Sequence, residues 1–355
     1  MKKTLLLLGL LSLSVTTQAV ELAYKTECIG SYTLDLPDNL EIALNPIEHY
    51  FEPSSKSPNY FADKKWAILS VFNYNRNILD IYDGNLNKTA KQQVINKLIE
   101  ESDNRSETNS KRKLKKININ NIIGYYSDFA SNLAFYPNNH IYNFYSNEYY
   151  QGEKKDFEFY KQNAEAIING FSTRELFELP QTAGKCIPFG FVAGNDASIP
   201  LILTVSFRLK EHPDIVISFT ENTRSFTNLL RYDAKEEINL FWNSNYDISN
   251  RNIKNIKLLG FPIKYRDIKM DGRNGLAGFV EIRYKDKSPS DYGYYGVVSY
   301  YSRNTPNSKT NHPWLQLSVI GKQSEAKGKI PLTEDEIYQM AKTIEASIKR
   351  RATEQ

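Results

Sequence analysis

Two cysteines, four histidines, a glycine-rich turn and a run of tyrosines are the residues of this 355-residue chain that could do chemistry. Cys28 heads "CIGSYTLDLP" and Cys186 heads "CIPFGFVAGN". Two thiols cannot make a four-cysteine zinc site, and their wide separation excludes a Cys-x-x-Cys redox motif. His49, His140, His212 and His312 stand singly, the last two each before a proline, so no histidine spacing completes a metal site. Neither a Gly-x-Ser-x-Gly elbow nor a His-Glu-x-x-His pair is present. "GRNGLAG" (272–278) lacks the Gly-Lys-Ser/Thr ending of a phosphate loop and runs into a strand, which makes it a hairpin turn. The residues therefore predict no catalytic centre, no metal and no cofactor.

The cysteines depend on their compartment, which the N-terminus indicates. "MKKTLLLLGLLSLSVTTQA" has two lysines, an apolar centre, and Thr17 and Ala19 at the −3 and −1 positions of a cleavage site. That pattern predicts a secretory signal peptide over 1–19 and a periplasmic product. No cysteine follows the apolar run directly, so a lipid anchor is not expected, and no later segment is long and apolar enough to span a bilayer. Loss of Lys2 and Lys3 lowers the formal charge from +4 to +2, too balanced to suggest nucleic acid or an anionic membrane as partner. In an oxidising compartment two cysteines most simply form one disulfide; two reduced, buried thiols are the alternative.

Tyrosines crowd "SDYGYYGVVSYYSR" (290–303). In an extended segment Tyr292, Tyr294, Tyr295, Tyr300 and Tyr301 cannot all face one core, because alternate side chains point to opposite faces. Some must be exposed to a partner, or both faces of the strand must be covered. Tyrosine gives large contact area at low entropic loss, which suits an interface.

Behind these residues lies a predicted α+β chain. Strand signals dominate "WAILSVFNYN" (66–75), "IIGYYSDFA" (122–130), "HIYNFYSNEYY" (140–150), "LILTVSFRL" (201–209), "DIVISFTEN" (214–222), "GVVSYYSR" (296–303) and "WLQLSVIGK" (314–322). Asp271-Gly272 marks a tight turn between alternating strands, and "KEHP" links 201–209 to 214–222. "TAKQQVINKLIEES" (89–102) reads as helix and "DNRSETNSKRKLKK" (103–116) as a solvated, charged loop.

An internal repeat organises these elements. "YKQNAEAIINGFSTR" (160–174) and "IYQMAKTIEASIKRR" (337–351) align at an offset that sets Tyr160 on Ile337, Ala164 on Ala341, Ile167 on Ile344, Phe171 on Ile348 and Arg174 on Arg351. The spacing forms one apolar helical stripe, with a basic residue placed to complement the helix dipole. Thr333 and Glu336 form a capping-box pattern before the second copy. Each cysteine segment opens a unit that such a helix closes, which predicts two related domains, 20–180 and 181–355, joined at "ELPQTAGK". Each would be an antiparallel sheet packed with a long helix near its end.

"ECIGSYTLDLPDNLEI", "KCIPFGFVAG" with "HPDIVISF", "GRNGLAGFVEIRY" and "LTEDEIYQMAKTIEASIKRR" together resemble, in that order, the periplasmic immunity proteins cognate to type VI secretion lipase effectors. The resemblance touches both halves. It implies a two-domain α+β protein without enzymatic activity that binds a cognate lipase effector and blocks it, by occluding the active site or holding the lid closed. Asn274 departs from the acidic residue of the family's Gly-Arg-Glu-Gly turn. The expected partner-binding set is Tyr292, Tyr294, Tyr295, Tyr300, Tyr301, Arg273 and Asn274, on a protein that is monomeric when free. Two competing readings are immunity to another periplasmic toxin, and an exported hydrolase or carbohydrate-binding protein that uses the tyrosine-rich face.

Overall fold

The computed structural model describes residues 22–354, apart from 52–58, 66, 68–69, 84–87, 109–112, 138, 148–155, 195–198, 224–233, 246–250, 256, 259–260, 263–264, 299–312 and 327. The class is α+β, built on antiparallel sheets. Its main sheet has fourteen strands, twelve of them in one path. From one edge, residues 251–255, 273–284, 291–298, 314–321, 215–222 and 201–209 come from the C-terminal half. The path continues through 71–74, 77–82, 141–147, 130–135, 122–127 and 114–119 of the N-terminal half.

The two halves are thus not separate sheets. Leu201–Leu209 pairs with Val71–Tyr74, Leu203 lying opposite Phe72. Both strands carry alternating apolar residues, and pairing them removes two exposed sheet edges at the boundary. One continuous core runs beneath the join, from Phe72, Tyr142 and Ile167 in the first half to Leu203, Leu317 and Ile344 in the second.

The two repeat helices form as their patterns predict. Phe157–Gly170 starts at Asp156, whose carboxylate accepts from the Phe159 amide at 2.9 Å, and buries Tyr160, Ala164 and Ile167. Glu334–Ser347 starts at Thr333, where the Thr333 hydroxyl accepts from the Glu336 amide while the Glu336 carboxylate accepts from the Thr333 amide. Its buried stripe is Ile337, Met340, Ala341 and Ile344, with about 2 kcal/mol gained for each large side chain removed from water.

Two small sheets carry the cysteines. Tyr24–Ile29 and Tyr32–Pro37 form a hairpin, and Gly184–Ile187 with Gly190–Ala193 forms a second one. The third strand of each sheet follows a repeat helix, but the helices are exchanged. The first hairpin takes Lys349–Arg350, after the last helix, with Tyr32 opposite Arg350. The second takes Phe171–Thr173, after the first helix, with Phe171 opposite Val192. The expected boundary at 180/181 therefore falls between two strands of one small sheet, and the entry hairpin of the chain completes the C-terminal half.

Several local expectations are refined. The helix Lys88–Thr108 runs past residue 102, and Leu114–Ile119 is a strand, so both ends of the expected 103–116 loop lie in regular structure. Segment 122–130 is broken at Ser127, whose hydroxyl accepts from the Ala130 amide and reverses the chain into Ala130–Phe135. The Asp271-Gly272 turn has φ of 52° and 71°, the double left-handed geometry of a tight hairpin. No described helix is long and apolar enough to cross a membrane. The segment expected to be a leader, residues 1–19, lies outside the described residues.

Candidate partner interface

Strand Asp291–Val298 carries three of the five tyrosines, and the structure sends them to two faces. Tyr294 is fully buried beneath the last helix. Its hydroxyl donates to Glu345, which also pairs with Arg266. Tyr295 points the other way and stacks on Phe241 of helix Ala234–Asn245, with centroids 3.8 Å apart and planes 6° apart. Its hydroxyl donates to Glu237 at 3.2 Å, and the Gln316 amide donates to the same oxygen at 3.0 Å. Burial, then the neighbouring glutamate, holds both phenols well above their ordinary range, so both remain neutral donors.

Tyr294 and Tyr295 are therefore not surface anchors. A helix covers each face of the strand, and burying these rings outweighs offering them to a partner. Tyr292 is different. It is half-buried, shares the face of Tyr294, and lies opposite Glu281. Near it on that face Phe279 packs on Tyr338 of the last helix with centroids 5.0 Å apart, both rings half-exposed. Arg266 and Lys342 each approach the Tyr338 ring, at 6.0 and 5.7 Å. Tyr300 and Tyr301 lie outside the described residues.

Arg273 and Asn274 begin strand Arg273–Tyr284. Arg273 donates from Nη1 to the Pro313 carbonyl at 2.8 Å, while Asn274 is exposed opposite Lys269. The turn before them is tied to the chain end: the Asp271 amide donates to the Ile348 carbonyl at 3.0 Å, and the Asp271 carboxylate accepts from the Arg350 amide at 3.0 Å. This turn thus borders the strand that completes the entry hairpin.

Cys28 and Cys186 are bonded, with Cα atoms 5.7 Å apart, and both are fully buried against Phe191. Beside them the Gly30 amide donates to the Cys186 carbonyl at 2.7 Å, and the Cys186 amide returns a bond to the Gly30 carbonyl at 2.9 Å. Gly30 has φ of 57°, and a Cβ there would lie 2.0 Å from a Glu221 oxygen, so the position needs glycine. The Glu221 carboxylate accepts from the Ser31 amide at 2.7 Å and the Ser31 hydroxyl at 2.8 Å, and Lys185 donates to that hydroxyl at 2.7 Å. Burial raises the Glu221 carboxyl, with Lys185 and Ser31 opposing the shift.

The repeat arginines perform a task that the helix-dipole reading missed. Arg174 is buried, pairs with Glu27 at 2.5 Å, and donates to the Cys28 and Gly190 carbonyls at 2.8 and 3.2 Å. Arg351 is equally buried and donates to the carbonyls of Gly184, Pro180 and Thr182 at 2.8–2.9 Å. Each arginine anchors hairpin or linker backbone across the junction. Their equivalence was visible in the repeat; their acceptors, being carbonyls, leave no trace in side-chain identity.

Of the histidines, His140 stacks on Phe189 at 4.6 Å and His212 sits in the connection after Leu201–Leu209. Among the described residues no group of three His, Cys, Asp or Glu side chains is placed to hold a metal.

Comparison with known proteins accords with this geometry. The model of the Tle cognate immunity protein 4 C-terminal domain matches residues 178–353. A comparison with curated proteins gives no match. The immunity protein TplEi of the type VI secretion system (T6SS) from Pseudomonas aeruginosa, complexed with "L" peptide, is similar with a TM-score of 0.58 at 16% identity, over 92% of this chain and 98% of that one. Its apo structure gives 0.56 at 16%, over 93% and 98%. The Tle4–Tli4 complex gives 0.56 at 17%, over 93% and 98%. At such identities the likeness is one of fold, and it spans nearly the whole of each chain. Residues 178–353 thus match the C-terminal domain of the Tle cognate immunity protein 4 family, a family of immunity proteins rather than enzymes.

Proposed function

We propose that this protein is a periplasmic immunity protein that binds and neutralises a type VI secretion lipase effector, covering its active site or holding its lid shut. The observation that carries the reading is the match of residues 178–353 to the Tle cognate immunity protein 4 C-terminal domain, alongside the near-complete overlap of this fold with a chain of the Tle4–Tli4 complex. The continuous sheet and shared core support it, because a body that does not bend keeps its contact surface preorganised.

The contact surface is proposed to include Tyr292 with Phe279, Tyr338 and Arg266 around it, and the Arg273–Asn274 turn. Half-exposed aromatic rings beside arginine are the side chains that most often dominate a protein interface. Tyr300 and Tyr301 follow Tyr292 on the chain and belong to the same proposal. The leader directs the chain to the periplasm, where the effector acts. Co-purification with the candidate cognate lipase effector, followed by a lipase assay, tests the reading: stoichiometric capture with loss of activity is expected, and a protein that neither binds nor inhibits that lipase contradicts it.

A further inference from the structure

We infer that the Cys28–Cys186 bond is the catch that closes the two exchanged hairpins, making the neutralising fold conditional on export to an oxidising compartment; the second clause rests on the function proposed above. Besides the disulfide, the two hairpins are joined by one pair of backbone bonds, Gly30 to Cys186 and back, and by the Lys185 bond to the Ser31 hydroxyl. Around that pair lie Glu27, Arg174, Lys185 and Glu221, all buried. Desolvated charges favour the closed form only if their partners stay in register. The catch maintains that register at the point where the sheets of the two halves meet.

The position of the catch fixes the order of events. Both cysteines are wholly enclosed, so an oxidant reaches them only while the hairpins are apart. One cysteine thiolate attacks a disulfide of a protein thiol oxidase, forming a mixed disulfide and releasing one oxidant thiol. The second thiolate then displaces the other oxidant sulfur. Two cysteine thiols become one disulfide, and the oxidant's disulfide becomes two thiols, taking up the two electrons and two protons. The hairpins close over the new bond, which is then sealed from reductants. In a reducing compartment the unbonded sulfurs must move apart in the packed space against Phe191, which holds the junction open. The fold closes after export, leaving the effector free in the compartment where both chains are made.

The test compares the mature oxidised protein, the same protein folded under reductant, and the variant Cys28→Ala/Cys186→Ala. Hydrogen exchange is followed at 24–37 and 184–193 and, as a reference, at strands 203–207 and 215–219. Exchange at both hairpins is expected to rise in the reduced protein and the variant by at least about 100-fold more than at the reference strands, which share only the global loss of stability. Native oxidised protein is expected to expose no thiol when reductant is added after folding. Equal hairpin exchange in all three forms overturns the catch, as does a loss of protection equal at the hairpins and the reference strands. Capture of the lipase is measured in parallel, and the reduced protein is expected to bind at least about tenfold more weakly. Undiminished binding by the reduced protein overturns the gating. If the oxidised protein itself ignores the lipase, the proposed function fails, and the exchange data still decide the catch.

Discussion

The two hairpin junctions are built from the same parts and closed in different ways. At one, hairpin 184–193 meets a strand only a short stretch before it, and Arg174 holds the site with a carboxylate, Glu27, as well as carbonyls. At the other, hairpin 24–37 meets Lys349–Arg350 from the far end of the chain, and Arg351 donates to three carbonyls of the segment between the halves. Closing the first loop requires little chain entropy, whereas closing the second encloses nearly the whole molecule. The disulfide joins the two junctions, so the inexpensive contact is covalently tied to the demanding one. The lesson is that a repeat preserves a local device, here helix, arginine and hairpin, while its connectivity decides how much of the chain depends on it.

Removing the tie should have the largest effect. Cys28→Ala with Cys186→Ala is expected to lower stability by up to about 5 kcal/mol, because the bond closes a loop of 158 residues. Denaturant unfolding followed by tryptophan fluorescence measures it. A loss confined to one junction would break the comparison, since both are predicted to loosen together.

The arginines come next. Arg174→Met leaves the buried Glu27 carboxylate without its cation and is expected to cost about 3–5 kcal/mol. Arg351→Met leaves carbonyls short of a donor and should cost about 2 kcal/mol. Equal losses in the same denaturation experiment would mean that the carboxylate adds nothing. The helix starts differ less. Thr333→Ala removes a reciprocal capping box and Asp156→Ala a single cap, so each should cost about 1 kcal/mol, the former slightly more.

The smallest effect separates the sheet's two faces. Burial raises the Glu237 carboxyl above its ordinary 4.5, against the hydrogen bonds from Tyr295 and Gln316. Below that pH the group is protonated in both folded and unfolded chains. As pH rises, the unfolded chain ionises first, so native stability declines until the folded group ionises as well. Glu237→Gln should flatten this decline as pH rises above the ordinary glutamate range in thermal unfolding. An unchanged slope would place the titration elsewhere.

Much of the frame was legible in residue order. The helix stripes, the capping box, the Asp271-Gly272 turn and the pairing of two cysteines each follow from local chemistry. The exchange of hairpins was not legible: Lys349–Arg350 is two residues long, and nothing in its composition favours one hairpin over the other. The buried set of Glu27, Lys185 and Glu221 was hidden for a related reason, since charged residues read as surface until tertiary packing encloses them. Tyrosine alternation at 292–295 foretold two faces. Which face remained open depended on two helices, 234–245 and 334–347, that come from distant parts of the chain.

The central claim, that this interlocked body neutralises a lipase, is tested most directly by titrating the oxidised mature protein into the purified candidate lipase effector while fatty-acid release is recorded. The account predicts that hydrolysis falls linearly to background at about one equivalent, as tight one-to-one binding requires. Full lipase activity persisting at about tenfold excess would contradict it.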